Sequence, residues 1–446
     1  MIRITPAVLC LVVASCSLGA PSAATQPGAP EGSEPPSSPV PPAAGNPWPP
    51  VPAAPSGEVE PAVAEAGDRL VATFGPGRVD TEALDTVAAS GDGRLGWLIA
   101  DLLRFTPPGA GERALIDAFS TLTGTDPMAD DRFGDVPWVA ATNLLIGWDL
   151  PAAPGYVDRK ATLFLTVEPA WEPFFADQDA IIDWRWVSWG GVLIDDREIG
   201  DGRPCRGGCI PALDDPQLTS ADDGGWYADW RPVFGVAVGE EAVAFPKHIM
   251  EVHEVVNLTI GGRRVGLPYC TLCGSVWAFL TDTVAGSEGP LVLRTSGLLS
   301  RSNKIMYDLG TVSAFNTFTG RATSGPLREA GVVLEQVSVV STSWGAWKAA
   351  HPETKIVAQD GGIGRSYADD PLEGRDEAGP IFPVGPVDPR LPAQRTVVGV
   401  IGPDGPAAFP LELALETLAA GGQVRLGDLE AVEHGGGLLV RVVGGD

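Results

Sequence analysis

Hydrophobic residues between positions 58 and 180 recur at the spacing of amphipathic helices. They stand at i, i+3, i+4, i+7 and i+8 on one face, and a second set repeats this spacing: Leu95, Leu98, Ile99, Leu102 and Leu103, then Leu115, Phe119 and Leu122. Gly124 follows the second set, as is typical of a helix end. The pattern predicts a mainly helical region over residues 58–180, with three aromatic residues in its core: Trp97, Trp138 and Trp148.

After residue 180 the pattern changes to short runs of β-branched and aromatic residues between Gly, Pro and Asp turns. VFGVAVG, VVLEQVSVV and RTVVGVIG are examples, and such runs are typical of strands. Two helices are expected here: WGAWKAA after the hydroxyl cap at Ser343, and PLELALETLAA before Gly421. The sequence therefore predicts an α+β fold, in which a small N-terminal helical region precedes a larger β-rich domain over residues 181–446.

The β-rich domain contains an approximate internal repeat. Residues 233–246 (VFGVAVGEEAVAFP) match residues 397–410 (VVGVIGPDGPAAFP), and each segment predicts two strands, a tight turn and a helix that follows Phe-Pro. A true duplication and a chance likeness between two hairpin-helix units both fit this match. Only the first copy carries cysteines near it.

Residues 1–16 have the pattern of an export signal. Arg3 precedes an apolar run over residues 7–13, and small residues stand directly before Cys16. The run is too short to cross a bilayer, which takes about 20 apolar residues. Val-Ala-Ser-Cys resembles the lipobox of bacterial lipoproteins, which implies a lipidated Cys16 and a protein anchored to the cell membrane on its extracytoplasmic side. The alternative is an ordinary signal peptide that is cleaved between residues 20 and 24.

Residues 17–57 are dominated by proline and small residues. Such a segment cannot bury enough apolar area to offset its ordering entropy, so it predicts a disordered, extended tether. A tether directly after a lipidated cysteine would hold the folded regions away from the membrane.

Charge restricts the partners of the chain. The sequence has 57 Asp and Glu against 30 Lys and Arg, a formal net charge of -27. Nucleic acid would be repelled by this charge and is excluded as a partner. The expected partners are the membrane, through the lipid at Cys16, and an unidentified extracytoplasmic protein or small molecule.

Four cysteines remain in the folded part of the chain, in two close pairs. Cys205 and Cys209 are four residues apart, and Cys270 and Cys273 form a Cys-x-x-Cys motif. The pairs fit a thiol/disulfide redox site, a copper or zinc site, or two structural disulfides in an oxidising compartment. The residues after Cys273 read as a strand and not as the helix that activates thioredoxin-type thiols.

A histidine just upstream of the Cys-x-x-Cys motif is the best candidate for a base or a further metal ligand. His253 lies in FPKHIMEVHEVVN and is one of only four histidines in the chain. For a copper or zinc centre the ligands would be Cys270, Cys273 and His253, with Cys205 and Cys209 as additional candidates. A buried or solvated histidine without such a role fits the same segment.

Six ordered segments of the chain resemble the bacterial family named domain of unknown function 3179 (DUF3179). They are IPALDDPQL, FPKHIMEVHEVVN, PYCTLCGSVWAF, SGLLSRSNKIMYD, TFTGRATSGPL and STSWGAWKAAHPETK, and they fall within about residues 209–410. The resemblance implies a pocket lined by four polar residues: Asn257, Asn303, Tyr307 and Asp308. The chain departs from the family pattern at Leu258, where an Asp is usual, and at Thr271, where a Pro is usual.

The leading hypothesis is a membrane-anchored lipoprotein with a thiol/disulfide redox site. Cys270 is predicted to be the attacking thiolate, Cys273 the resolving thiol and His253 the group that promotes thiolate formation. The alternatives are a copper- or zinc-binding extracytoplasmic protein and a non-enzymatic binding module with structural disulfides.

Overall fold

A computed structural model describes residues 48–75, 78–201, 205–373 and 379–443. The predicted signal with Cys16, and the tether up to residue 47, lie outside the described residues. The last ten residues of the predicted tether, 48–57, pack on the helical region. The Trp48 ring meets Phe133 edge to face, and the Ala53 carbonyl accepts a hydrogen bond from the Gly93 amide. Because Trp48 is a large apolar side chain that can be buried, this part of the predicted tether packs on folded residues.

Seven helices form the N-terminal region among the described residues: α1 Pro61–Ala72, α2 Thr81–Ala89, α3 Gly96–Phe105, α4 Ala110–Thr123, α5 Pro137–Gly147, α6 Tyr156–Phe164 and α7 Glu172–Ala176. The predicted apolar faces of α3 and α4 are buried, and α4 ends at Gly124 in the left-handed conformation. Trp97 and Trp148 are core residues, while Trp138 is half-buried. In the part of the chain that the structure describes, none of the helices combines the length and hydrophobicity that a membrane span requires.

The β-rich region holds four further helices: α8 Lys247–His253, α9 Pro326–Glu329, α10 Trp344–Ala350 and α11 Leu411–Ala419. Its strands are β1 Val187–Trp189, β2 Leu213–Asp214, β3 Leu218–Ser220, β4 Pro232–Val238, β5 Glu241–Pro246, β6 Val255–Ile260, β7 Arg263–Cys270, β8 Ser275–Val276, β9 Ala278–Leu280, β10 Leu293–Ser300, β11 Asn303–Asp308, β12 Ala314–Asn316, β13 Arg321–Ala322, β14 Gln336–Val337, β15 Val339–Ser343, β16 Lys355–Val357, β17 Val397–Gly402, β18 Gly405–Pro410, β19 Val424–Leu426, β20 Leu429–His434 and β21 Gly437–Val442. The α+β class is confirmed.

The strands of the described residues form five sheets. Their strand orders are β1-β10-β11-β12-β13, β14-β9-β7-β6-β2 with β8 also on β7, β15-β4-β5-β16-β3, β17-β18, and β19-β20-β21. The core of the helical region continues onto the first of these sheets, where it includes Leu298 and Ile305. The indole of Trp171 also donates a hydrogen bond of 2.7 Å to the Ser296 carbonyl. The helical region is therefore packed on the β-rich region.

The internal repeat predicted from the sequence is confirmed. In the first repeat, residues 233–270, the β4–β5 hairpin pairs Val233 with Pro246, and α8 and the β6–β7 hairpin follow. In the second repeat, residues 397–436, the β17–β18 hairpin pairs Val397 with Pro410, and α11 and the β19–β20 hairpin follow. Both units have the same hairpin register and a two-residue turn in each hairpin, so the likeness extends beyond the segment matched in the sequence.

Candidate functional site: the Cys270–Cys273 pair

The Cys-x-x-Cys motif lies at the end of a central strand. Cys270 is the last residue of β7 and pairs with Ser275 at the start of β8, so that Cys273 lies in the tight connection between these strands. Both cysteines are free, and their sulfur atoms are 3.4 Å apart. Cys270 is only 1% exposed, whereas Cys273 is half-buried. The two thiols can therefore form one disulfide, but they differ in access to a partner.

Residues at the start of β11 border the two sulfur atoms. The carbonyl oxygen of Ser302 lies 3.6 Å from the Cys270 sulfur and 3.3 Å from the Cys273 sulfur, and the Asn303 side-chain oxygen lies 3.9 Å from Cys273. Asn303 is thus the one residue of the pocket implied by the resemblance that contacts the cysteine pair in the described part of the chain.

A buried ion pair lies beside this motif. The Lys304 ammonium is 2.7 Å from the Glu254 carboxylate, and both side chains are almost fully buried. Lys304 also donates to the Glu254 carbonyl at 3.1 Å and to the Thr295 hydroxyl at 3.3 Å, while the Thr271 hydroxyl donates to the Glu254 carboxylate. These hydrogen bonds satisfy charges that would otherwise be costly to bury.

The environment gives the two thiols opposite pKa shifts. Burial and the negative charge of Glu254 raise the pKa of Cys270, but the hydrogen bond with Cys273, the positive charge of Lys304 and the Lys304 backbone amide act in the opposite direction, and the net effect lowers it. The hydrogen bond to Cys270 and burial both raise the pKa of Cys273. These opposite shifts favour Cys270 over Cys273 as the place of a single negative charge on the pair.

The His253 ring is engaged elsewhere. Its Nδ1 lies 2.7 Å from the Pro211 carbonyl and its Nε2 lies 2.8 Å from the Tyr367 hydroxyl. A carbonyl only accepts, so Nδ1 carries the proton and Nε2 accepts from Tyr367. Burial lowers the pKa of His253 to about 4. The predicted role of His253, which was to promote thiolate formation at Cys270, therefore needs correction, because both ring nitrogens are engaged elsewhere and the charged groups that act on that sulfur are Glu254 and Lys304.

Three other residues that the resemblance assigned to a pocket make internal hydrogen bonds. The Asn257 amide bonds to the Asp214 carboxylate at 2.9 Å and to both backbone groups of Leu293. The Tyr307 hydroxyl donates to the Asp195 carbonyl at 2.7 Å, and the Asp308 carboxylate accepts from backbone amides in the adjoining turns. Because their polar atoms bond to strands β2 and β10 and to turns, these side chains hold sheets together.

The second cysteine pair is a disulfide between Cys205 and Cys209. With Asp195 these residues make up the one group of three metal-ligating side chains found among the described residues. The Asp195 carboxylate is already 2.6 Å from Arg197 and 3.8 Å from Arg294. Sulfur atoms in a disulfide are not thiolates, and two arginines repel a cation, so the group fits a metal poorly. The predicted ligand set that joins Cys270, Cys273 and His253 is not assembled.

Lys304 and Glu254 were missed by the reading of the sequence. Glu254 directly follows His253, and Lys304 lies in the SNKIMYD segment, directly before the apolar Ile305 and Met306 of a buried strand. A lysine in a buried strand is rare unless it is paired. That signal could have identified it as a site residue.

Comparison with known proteins agrees with the motifs. A family model described as "Protein of unknown function (DUF3179)" matches residues 207–434. Neither the curated proteins nor the solved structures contain a match to the chain. The matched segment includes both internal repeats almost completely, the Cys-x-x-Cys motif and the Glu254–Lys304 ion pair, and it covers just over half of the chain. The chain belongs to the DUF3179 family.

Proposed function

We propose that this protein performs thiol/disulfide exchange through Cys270 and Cys273. The observation that carries the proposal is the asymmetry of the pair: a half-buried thiol lies 3.4 Å from a fully buried one, whose thiolate is favoured by the hydrogen bond with Cys273 and, to a smaller extent, by Lys304. Fast exchange needs an accessible sulfur to attack and a stable thiolate to leave. Cys273 and Cys270 fit these two roles, respectively.

The exchange balances as the oxidation of a substrate dithiol. A substrate thiolate attacks the Cys273 sulfur of the Cys270–Cys273 disulfide, the protein S–S bond breaks, and its electron pair leaves on Cys270. The second substrate thiol then attacks the mixed disulfide and yields a substrate disulfide. Cys273 takes the proton of that thiol, and Cys270 keeps the negative charge or takes a proton from solvent. Two electrons and one proton move from substrate to protein, and the proton that the first substrate thiol lost on forming its thiolate goes to solvent.

This scheme changes the roles that the sequence suggested for the two cysteines. Attack by Cys270 would require access to a residue that is 1% exposed. Contact with a partner is therefore assigned to Cys273, and Cys270 becomes the buried thiol that leaves and re-forms the disulfide.

The proposed location is the extracytoplasmic side of the cell membrane, with a lipid anchor at Cys16. The lipobox-like segment before Cys16 and the Pro-rich residues after it support this location. A membrane-anchored oxidant in an oxidising compartment would find substrate thiols among newly exported proteins.

The test is trapping of a mixed disulfide on the full chain. In glutathione buffer, a Cys270→Ser variant should accumulate glutathione on Cys273, because no second thiol resolves the adduct. A Cys273→Ser variant should react about tenfold more slowly at Cys270, since its sulfur is buried. Peptide mass after alkylation assigns each cysteine. A Cys205→Ser, Cys209→Ser double variant serves as the control and should leave the Cys270–Cys273 reaction unchanged.

Two outcomes would contradict the proposal. One is equal alkylation rates at Cys270 and Cys273. The other is a Cys270–Cys273 pair that stays in one redox state over the whole range of glutathione buffers.

A further inference from the structure

β17 is an edge strand, and no other described strand pairs with its outer side. Most sheet edges in the described residues are strands of two or three residues. The β17–β18 hairpin forms a sheet of its own, so both of its six-residue strands are edge strands. β18 contains Pro406 and Pro410, which lack an N–H group and therefore cannot donate to a further strand. β17 has the sequence VVGVIG, without proline or charge, and pairs with β18 alone among the described strands. Natural proteins usually block such an edge.

The first repeat shows what covers the corresponding edge. β4 occupies the position of β17, and it pairs with β15 in antiparallel register, with Gly235 opposite Val340 and Val233 opposite Thr342. Helix α10 follows β15 directly and lies over the same face of the hairpin. Val233 and Ala244, which point to this face, belong to a buried cluster with Trp344 and Trp347 of α10.

The same face of the second repeat is not covered by any described residue of the chain. Val397, Gly399 and Ile401 alternate along it, and the Ile401 side chain is 74% exposed. The opposite face of this hairpin packs on α11 through Val398 and Val400. The second repeat therefore has a core on one side only.

Two equivalent glycines show the difference in packing between the repeats. At Gly235 a Cβ atom would lie 2.4 Å from the Trp347 indole, so the glycine makes room for that ring. Gly399 occupies the same place in the second repeat, and a Cβ there would meet nothing within 4 Å. An aromatic side chain thus fills the space above Gly235, whereas the space above Gly399 is open.

We propose that the β17 edge binds an extended strand of another protein, antiparallel to β17, with an aromatic side chain seated over Gly399. The main chain of the partner would complete the edge, as in β-strand addition, and its side chains would cover Val397 and Ile401. The β15–α10 segment of the first repeat defines the chemistry: β-branched residues in the strand, then a large aromatic residue. A second copy of the chain is disfavoured, because each copy carries a net charge of -27.

A synthetic peptide with the sequence of residues 338–348 (SVVSTSWGAWK), which includes β15 and Trp347, is a suitable probe. Fluorescence anisotropy with the full chain should give saturable binding, and hydrogen exchange should show new protection of residues 397–402. Gly399→Val should weaken peptide binding by about tenfold or more, because the valine side chain would occupy the space above residue 399 that the Trp347 indole of the peptide is proposed to fill. A peptide with alanine in place of Trp347 should lose a similar factor.

Gly289→Val is the matched control. A Cβ at Gly289 also meets nothing within 4 Å, and this glycine lies in the loop between β9 and β10. This variant should bind the peptide like the wild type, and both variants should keep the wild-type melting temperature.

Three results would overturn the proposal. The first is no binding up to the solubility limit of the peptide. The second is binding that Gly399→Val does not weaken, which would place the peptide elsewhere, for example on β4 in place of the chain's own β15. The third is a dimer of the full chain in light scattering that Gly399→Val dissociates, which would identify a second copy as the occupant.

Discussion

The two repeats share one architecture but differ in their surroundings. In the first repeat, β4 and β5 are inner strands of a five-stranded sheet, and Phe245 is fully buried. In the second, the equivalent Phe409 is also buried, yet its hairpin forms a sheet of only two strands and exposes one face. The same local sequence signals therefore build the same hairpin and helix, while neighbouring segments decide how much of each unit is buried.

The difference extends to the chemistry. Eight residues after the turn of its second hairpin, the first repeat carries Cys270, and the second repeat carries Gly436 at the same place. The helix of the first repeat contributes His253 and leads into Glu254, whereas α11 has Thr417 at the position of His253. Thus the repeat that is covered on both sides carries Cys270 of the candidate pair, in a buried position where solvent screens nearby charges less.

The largest effect is expected from removing the charge beside Cys270. Lys304→Met leaves the Glu254 carboxylate buried without its partner, which should lower the free energy of unfolding by about 3–5 kcal/mol. The pKa of Cys270 should rise as well, because the positive charge that lowers it is gone. Urea unfolding measures the first effect, and the pH dependence of alkylation measures the second.

Lys355→Met is the control for this prediction. Lys355 lies 2.7 Å from Glu241 in an exposed pair on the same sheet as the first hairpin. Solvent screens such a pair, so its loss should cost less than about 1 kcal/mol. Equal losses for the two lysine variants would contradict the buried character of the Glu254–Lys304 pair.

The next prediction compares the loss of stability on substitution of the two equivalent glycines. Gly235→Ala places a methyl group against the Trp347 indole and should destabilise the protein by about 1–3 kcal/mol through overpacking. Gly399→Ala introduces the same group into open space and should change stability by no more than about 0.5 kcal/mol. Thermal unfolding of the two variants side by side is the measurement. A similar loss in both would mean that the space above Gly399 is filled in solution.

Sequence reasoning located the local elements well because their signals are local. The apolar stripe of α3, the left-handed glycine after α4 and the hydroxyl cap of α10 at Ser343 each act within one turn of helix. The matching turns of the repeats are local in the same sense. The association of the helical region with the first sheet could not be predicted, since it depends on contacts between residues more than a hundred positions apart, such as Trp171 and Ser296.

The candidate site was predicted only in part. The Cys-x-x-Cys motif is visible in the sequence, but its charged neighbour lies 34 positions beyond Cys270, on another strand. His253 was preferred over Glu254 because histidine titrates near neutral pH. Helix α8 ends at His253, and the next residue, Glu254, takes a left-handed conformation with φ of 55°. His253 bonds to Tyr367, whereas the adjacent Glu254 bonds to Lys304. The two neighbouring side chains therefore point to different parts of the molecule, which cannot be read from their spacing in the sequence.

The helix of the first repeat should also make the protein sensitive to acid. Burial lowers the pKa of His253 to about 4, below the ordinary value of 6.5. Between these values the unfolded chain binds a proton that the folded chain does not, so the free energy of unfolding falls as the pH falls, by about 1.4 kcal/mol per pH unit. His253→Asn, which keeps a donor for the Pro211 carbonyl, should reduce this slope by about one proton. Urea unfolding at pH 7, 6 and 5 measures it, and identical slopes for variant and wild type would contradict the assignment.

The smallest effect concerns the attachment of the second repeat. The Thr342 hydroxyl on β15 donates a hydrogen bond of 2.7 Å to the buried Gly435 carbonyl, in the turn between β20 and β21. Thr342→Val removes the donor with little change of shape and should lower the free energy of unfolding by about 1 kcal/mol.

Hydrogen exchange measures where this loss acts. Because this bond joins the second repeat to the strand that covers the first, amide exchange in β20 and β21 should accelerate about fivefold, while exchange in β6 and β7 stays unchanged. Thr86→Val, which removes a hydroxyl bond within α2, should alter neither hairpin. Equal acceleration in both repeats would contradict this prediction and show that they unfold as one cooperative unit. The exposed face of the second repeat would then make it more accessible than the first repeat but not locally less stable.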